Sequence, residues 1–253
     1  MAQVTGRAPE PWWGCWWDAR RRQAVRVSAD SLAALAQEIV GCRACPRLVT
    51  WREQVAVEKR GSFRTESYWG RGVPGFGDPR ARVLVLGLAP AAHGANRTGR
   101  VFTGDRSGDW LYASMHRTGF ANQPTSVAAD DGLGLSGAYV SAAVRCAPPE
   151  NKPTREERDA CLPFFVRELE LLSDVQVIVT LGAFAYEALW ASLRTDGVLL
   201  PRPRPKFTHG LEVATGRATI VGCFHPSQQN TFTGKLTEPM IDAVFARARE
   251  LSR

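Results

Sequence analysis

Four short apolar runs limit what this chain can fold into: 82–89 (RVLVLGLA), 138–144, 175–181 and 219–224. They read as buried strands. Helical patterning covers 31–40, 108–117, 154–172, 183–194 and 237–252. Asp30 or Ser31 is placed to cap the first helix, and Thr154 with Glu157 forms a capping-box pattern at the start of the third. In the fourth, Phe184, Ala188 and Leu189 share one face. Strands alternating with helices predict an α/β fold, a three-layer sandwich with a mostly parallel sheet of about four strands.

The 253 residues suffice for one sizeable core. Residues 28–253 are expected to form the main domain and 1–27 an appendage that includes the Trp-rich stretch 11–17 (PWWGCWW). Segments 60–81 and 195–209, rich in Arg, Gly or Pro, read as loops. No run of about 18 apolar residues is present, which argues against a transmembrane helix. Charges at Glu10, Asp18 and 20–22 interrupt any signal-peptide core, so the expected location is the cytoplasm. The net charge of +7 favours a polyanionic partner such as nucleic acid. Of the 32 basic residues 28 are Arg, a bias that a GC-rich genome accounts for at least as well as phosphate binding does.

In sheets of this kind ligands bind beyond the carboxyl ends of the strands. Three polar, Pro- or Gly-rich segments follow three of the four runs: 89–105, 145–153 and 225–234. They should meet at one edge and build a single site. The stretch 87–105 (GLAPAAHGANRTGRVFTGD) and the stretch 225–234 (HPSQQNTFTG) resemble the two signature motifs of the uracil-DNA glycosylase superfamily, most closely family 5, the B-type enzymes. Residues 145–153 (RCAPPENKP) match that family too. The resemblance runs from about Gly41 to the C-terminus.

It implies a DNA glycosylase that flips uracil, and other deaminated bases, out of DNA and hydrolyses the N-glycosidic bond. The backbone of Gly87, Leu88 and Ala89 would bind the edge of the base, and Phe102 would stack on it. His225 would donate to a uracil carbonyl as negative charge develops there. Ser227, Gln228, Gln229 and Asn230 would form the loop that enters the duplex, and Arg97 and Arg100, with Arg106, Arg145 and Lys235, could meet phosphates. The loop 202–206 (RPRPK) is a further candidate for backbone contact. Other branches of the superfamily carry Asp, Asn or Glu where this chain has Ala89. The resemblance then leaves Asn96, Asn151, His93 and Asp105 to position water, with Asn96 and Asn151 preferred. An amide cannot deprotonate water, so the expected reaction is dissociative, with looser choice of base.

Six cysteines are present. Disulfides are not expected in a reducing compartment. Cys42 and Cys45 form a CxxC, while Cys146 and Cys161 lie far off in sequence. Four thiolates could hold zinc or a 4Fe–4S cluster. The resemblance points to the cluster, in a structural role pinning 41–60 to the loop of Asn151, with Arg145 and Cys146 linking it to the active face. Cys223 reads as core and Cys15 is unassigned. The protein is expected to act as a monomer. Two other readings remain at this stage: a non-catalytic module that binds damaged DNA, and an iron–sulfur redox enzyme, which the lack of a GxGxxG motif disfavours.

Overall fold

The computed structural model describes residues 30–195 and 197–253. The expected appendage over 1–27, with Cys15, lies outside them. In chain order the elements are α1 (Leu32–Gly41), α2 (Pro46–Glu58), a 3₁₀ turn (Gly61–Phe63), β1 (Phe76–Gly77), β2 (Val83–Gly87), α3 (Ala95–Thr98) and α4 (Arg106–Arg117). There follow β3 (Ala138–Ala142), a second 3₁₀ turn (Pro149–Asn151), α5 (Arg155–Leu171), β4 (Val177–Leu181), α6 (Ala183–Thr195), β5 (Glu212–Ala214), β6 (Thr219–Cys223), α7 (Gln228–Phe232) and α8 (Glu238–Leu251).

The four predicted strands are the central β3-β2-β4-β6, all parallel. Two short antiparallel strands, β1 beside β3 and β5 beside β6, complete the sheet at its edges. Neither was legible in the sequence, because two or three residues carry no period. The apolar runs bury both faces by alternation. Val83 and Val85 pack with Leu111 and Met115 of α4 and Phe245 of α8. Leu84 and Leu86 face the other way, toward Phe165 of α5 and Trp190 of α6. The result is the three-layer α/β sandwich.

The helix starts follow local chemistry. Ser31 caps α1 by accepting the Ala34 N–H, and the Thr154–Glu157 capping box is formed at α5. The Glu157 carboxylate also accepts from Arg47, which ties α5 to α2.

Between β3 and α5 the core buries an ion pair. Arg145 and Glu168, each 1% exposed, meet with Nη2 donating to Oε2 at 2.6 Å, and the Ser141 hydroxyl donates to the same oxygen. Arg145 is therefore not available to a phosphate, and that expectation is corrected. Breaking a buried pair from one side leaves an uncompensated charge. Glu168→Ala should lower the unfolding free energy by about 3–5 kcal/mol, read as a drop in the urea midpoint.

A candidate base-binding cleft at the carboxyl edge of the sheet

Because β2, β4 and β6 run parallel and in register, their carboxyl ends lie side by side. Leu86 is paired with Thr180 across β2 and β4, and Leu181 with Cys223 across β4 and β6. The order β3-β2-β4 also makes the β2/β4 edge the place where successive crossovers diverge, which is where such sheets bind ligands. A cleft of about 410 Å³ opens at this edge. Its walls include Leu88 after β2, the Gly182–Phe184 corner after β4, and Phe224 and His225 after β6. Leu181, Asn230, Lys235 and Phe207 complete the lining.

His225 stands within 6.0 Å of Phe102, ring centre to ring centre, with the planes inclined by 35°. The residues that sequence reasoning paired, 123 positions apart, thus meet. Gly182, at φ +91°, lets the β4 corner close on the Cβ of His225. Behind His225 the loop after α6 gives support. The Phe224 N–H donates to Nδ1 of His209 at 3.2 Å, and the two rings are 5.2 Å apart. Burial pulls His225 down to about 4, so its imidazole is neutral at neutral pH.

Phe102 is held in an unusual backbone state, φ +51°. Strain of this kind persists only where neighbours enforce it, and it clusters at functional sites. The enforcement is visible. The Phe102 ring lies where a side chain on Gly87 would be, 2.5 Å from an added Cβ. Its carbonyl lies where a Cβ on Gly108 would be, at 1.8 Å. Asp105 caps α4 just beyond, accepting the Gly108 N–H at 3.0 Å, and burial raises its pKa. Asp105 therefore anchors the Phe102 turn.

Of the expected site residues, Leu88, His225 and Asn230 line the cleft itself. Asn96 is fully buried, and its amide donates to the carbonyls of Arg52 and Ala92, so it ties α3 to α2 and does not line the cleft. Asn151 is exposed at φ +56°, outside the lining. His93 is bonded to the Tyr68 hydroxyl through Nδ1. Arg97 is buried on Glu66 and Gly104, and Arg100 on Asp131, Ser126 and Thr103. Both guanidiniums have their charge and donors committed inside the protein, which corrects the expectation of phosphate contact. Ser227 caps α7 by accepting the Asn230 N–H, and the Asn230 amide donates to the His225 carbonyl at 2.9 Å. Gln228 and Gln229 are exposed at the rim. Beside them Phe232, 67% exposed, lies 4.4 Å beneath the Arg106 guanidinium.

Sequence reasoning missed the β4 corner, Phe207 and His209. The Gly182 that ends an apolar run, as Gly87 does, was the available signal for the first. Nothing local marks the other two, which a long loop brings in.

Cys45, Cys146 and Cys161 gather with Leu48 and Val144, and Ala89 and Phe184 pack on the same group. Burial raises the pKa of these three thiols, and each also feels charge on another cysteine of the set, Cys42 included. Among the described residues, no three His, Cys, Asp or Glu side chains are grouped so as to hold a single metal ion. Cys223 is buried in β6, as expected.

This edge, with an aromatic ring, a neutral imidazole and apolar walls, suits a flat heterocycle. The model of the uracil DNA glycosylase superfamily matches residues 74–249, and the chain belongs to that superfamily. Within it the relatives are specific. A type-5 uracil-DNA glycosylase of Mycobacterium tuberculosis is 52% identical over 88% of this chain and 83% of its own length. One from Thermus thermophilus is 50% identical over 87% and 97%, and one from Pyrobaculum aerophilum 41% over 83% and 88%. The particular family is the type-5 uracil-DNA glycosylases.

Gly108→Ala should destabilise the protein by about 1–3 kcal/mol, since the new methyl meets backbone and cannot be accommodated by a rotamer change. A melting curve checks this. The same variant should lose activity beyond its loss of folded fraction, because the Phe102 turn must shift.

Proposed function

We propose that the protein excises uracil from DNA by hydrolysis of the N-glycosidic bond, leaving an abasic site for base excision repair. The observation that carries this reading is the meeting of His225, Phe102 and the Gly87 strand end at one sheet edge. A flipped pyrimidine would lay its face on Phe102 and turn a carbonyl toward His225. Leu88 and Ala89 follow directly on β2 and offer backbone N–H groups to its edge. An aromatic platform under a base is worth roughly 1–3 kcal/mol.

Bond cleavage leaves negative charge on the base and an oxocarbenium-like sugar. A neutral imidazole donates a hydrogen bond to the oxygen where charge develops, at no cost of burying a cation in the ground state. No carboxylate stands at Ala89, so base departure leads and water adds late. Asn230 is the amide in the cleft, able to orient water but not to deprotonate it. With Arg97, Arg100 and Arg145 committed to the interior, the phosphate contacts pass to Lys235, Arg106, Arg204 and Lys206, all exposed. Gln228, Gln229 and Phe232 of α7 face the space left in the duplex. The protein would act on chromosomal DNA in the cytoplasm, as a monomer.

The cysteines fit a 4Fe–4S cluster. Three thiols, Cys45, Cys146 and Cys161, share one partly apolar nest with Cys42 an electrostatic neighbour of two of them, and a cluster takes its ligands on separate irons rather than at one point. Cys42, Cys45, Cys146 and Cys161 would hold it. Its contribution would be structural: it would pin α2 and α5 behind Phe184, which lines the cleft, and Ala89, which follows the lining residue Leu88.

Purified protein incubated with uracil-containing DNA and treated with alkali should yield strand scission. Retained binding with no scission would instead favour a non-catalytic damage-binding module. His225→Ala should lower kcat by roughly 10²–10³-fold. The rate should show no inflection near the ordinary histidine pKa of about 6.5, because His225 is already neutral above about 4 and gains a proton only below it. A rate that falls on acidification through pH 6.5 would contradict that assignment. Across uracil, hypoxanthine and hydroxymethyluracil, the missing carboxylate predicts measurable excision of all three. Strict uracil specificity would count against a dissociative, loosely selective site.

A further inference from the structure

The side chain of Arg52 is 1% exposed, at the centre of α2. An arginine guanidinium keeps its charge in proteins, and a buried charge is expensive unless an opposite charge meets it. Among the described residues the other buried arginines each have a carboxylate: Arg97 has Glu66, Arg100 has Asp131 and Arg145, as deeply buried as Arg52, has Glu168. Among the described residues Arg52 has none within ion-pair distance. Its neighbour Glu53 is exposed and paired with Arg43. Instead, Nη1 of Arg52 points at the Cys146 sulfur at 2.8 Å, and Nη2 donates to the Cys42 carbonyl at 2.9 Å. Its Nε is buried with no partner, as is Nε1 of the adjacent Trp51.

One neutral thiol and a carbonyl do not balance a buried cation. Four thiolates around a cluster do, since each carries a negative charge and the iron core offsets only part of it. We infer that Arg52 is the built-in counter-ion of the group held by Cys42, Cys45, Cys146 and Cys161, and that its positive charge governs how firmly that group is retained and how readily it accepts an electron. The inference rests on the cluster reading above. It also gives Asn96 a function: its amide donates to the Arg52 carbonyl at 3.2 Å, so the base-binding motif is fastened to the residue that balances the cluster. Partners of this kind around metal ligands typically change affinity by roughly 10–100-fold.

The test compares the full-length wild type with Arg52→Met, which removes the charge but keeps much of the reach, and Arg52→Lys, which keeps the charge. Iron per chain, the rate of bleaching in air and the reduction potential are measured beside the melting temperature. The expected result is that Arg52→Met loses iron roughly tenfold faster or more, any retained cluster having a more negative potential, while Arg52→Lys recovers most of the retention. If Arg52→Met is insoluble but Arg52→Lys folds and holds iron, the charge claim stands. Wild-type iron content, bleaching and potential in Arg52→Met would overturn it, as would equal loss, or equal failure to fold, in both variants, which would assign Arg52 a packing role. A wild type purified anaerobically without iron would overturn the cluster reading itself, and the counter-ion with it.

Discussion

Parallel pairing of β3, β2, β4 and β6 is the constraint on which everything else in this molecule depends. Strands in one direction and in register put all their carboxyl ends at a single edge. Residues far apart in sequence then meet there without any direct attraction between them. Gly87, the Gly182–Phe184 corner and His225 come together because Val85, Val179 and Val221 are neighbours in the core. The glycines at 87 and 108 then let the Phe102 ring and carbonyl approach more closely than any side chain would allow, and Gly182 supplies a left-handed corner beside His225.

Two groups of basic residues around the cleft differ in burial. Arg97, Arg100 and Arg145 are buried and ion-paired, and Arg97 and Arg100 tie down the loops around Phe102. Arg106, Arg204, Lys206 and Lys235 are exposed and free to meet a polyanion. This division matters for catalysis. Positioning a base to within a fraction of an ångström needs rigid loops, and a buried arginine with several fixed acceptors supplies that rigidity. Arg100, for example, links Thr103 of the Phe102 turn to Ser126 and Asp131 in a loop 23 or more residues further on.

The sequence revealed those parts of the fold and site whose cause is local. Buried strands show as unbroken apolar runs, and the capping box at Thr154 shows as two residues at fixed spacing. His225 and Phe102 were legible because each sits in a motif directly after a strand. What could not be read was the direction a polar side chain takes. Asn96, Arg97 and Arg100 lie within the same motif as Phe102, yet α3 and the turn after it aim them inward, toward partners such as Arg52, Glu66 and Asp131 that no local pattern ties to them. Phe207 and His209 were hidden for the same reason, since their roles depend on where a long loop lands.

The central claim is that an extruded pyrimidine lies between these strand ends with its carbonyl at a neutral His225. The most direct measurement is a crystal structure of the protein with duplex DNA carrying a 2′-fluorinated deoxyuridine, which resists cleavage. The pyrimidine is expected unstacked from the duplex, its face on Phe102, with a ring nitrogen of His225 within hydrogen-bonding distance of a base carbonyl. A base that remains in the helix, or one bound with His225 turned away and out of reach, would contradict it.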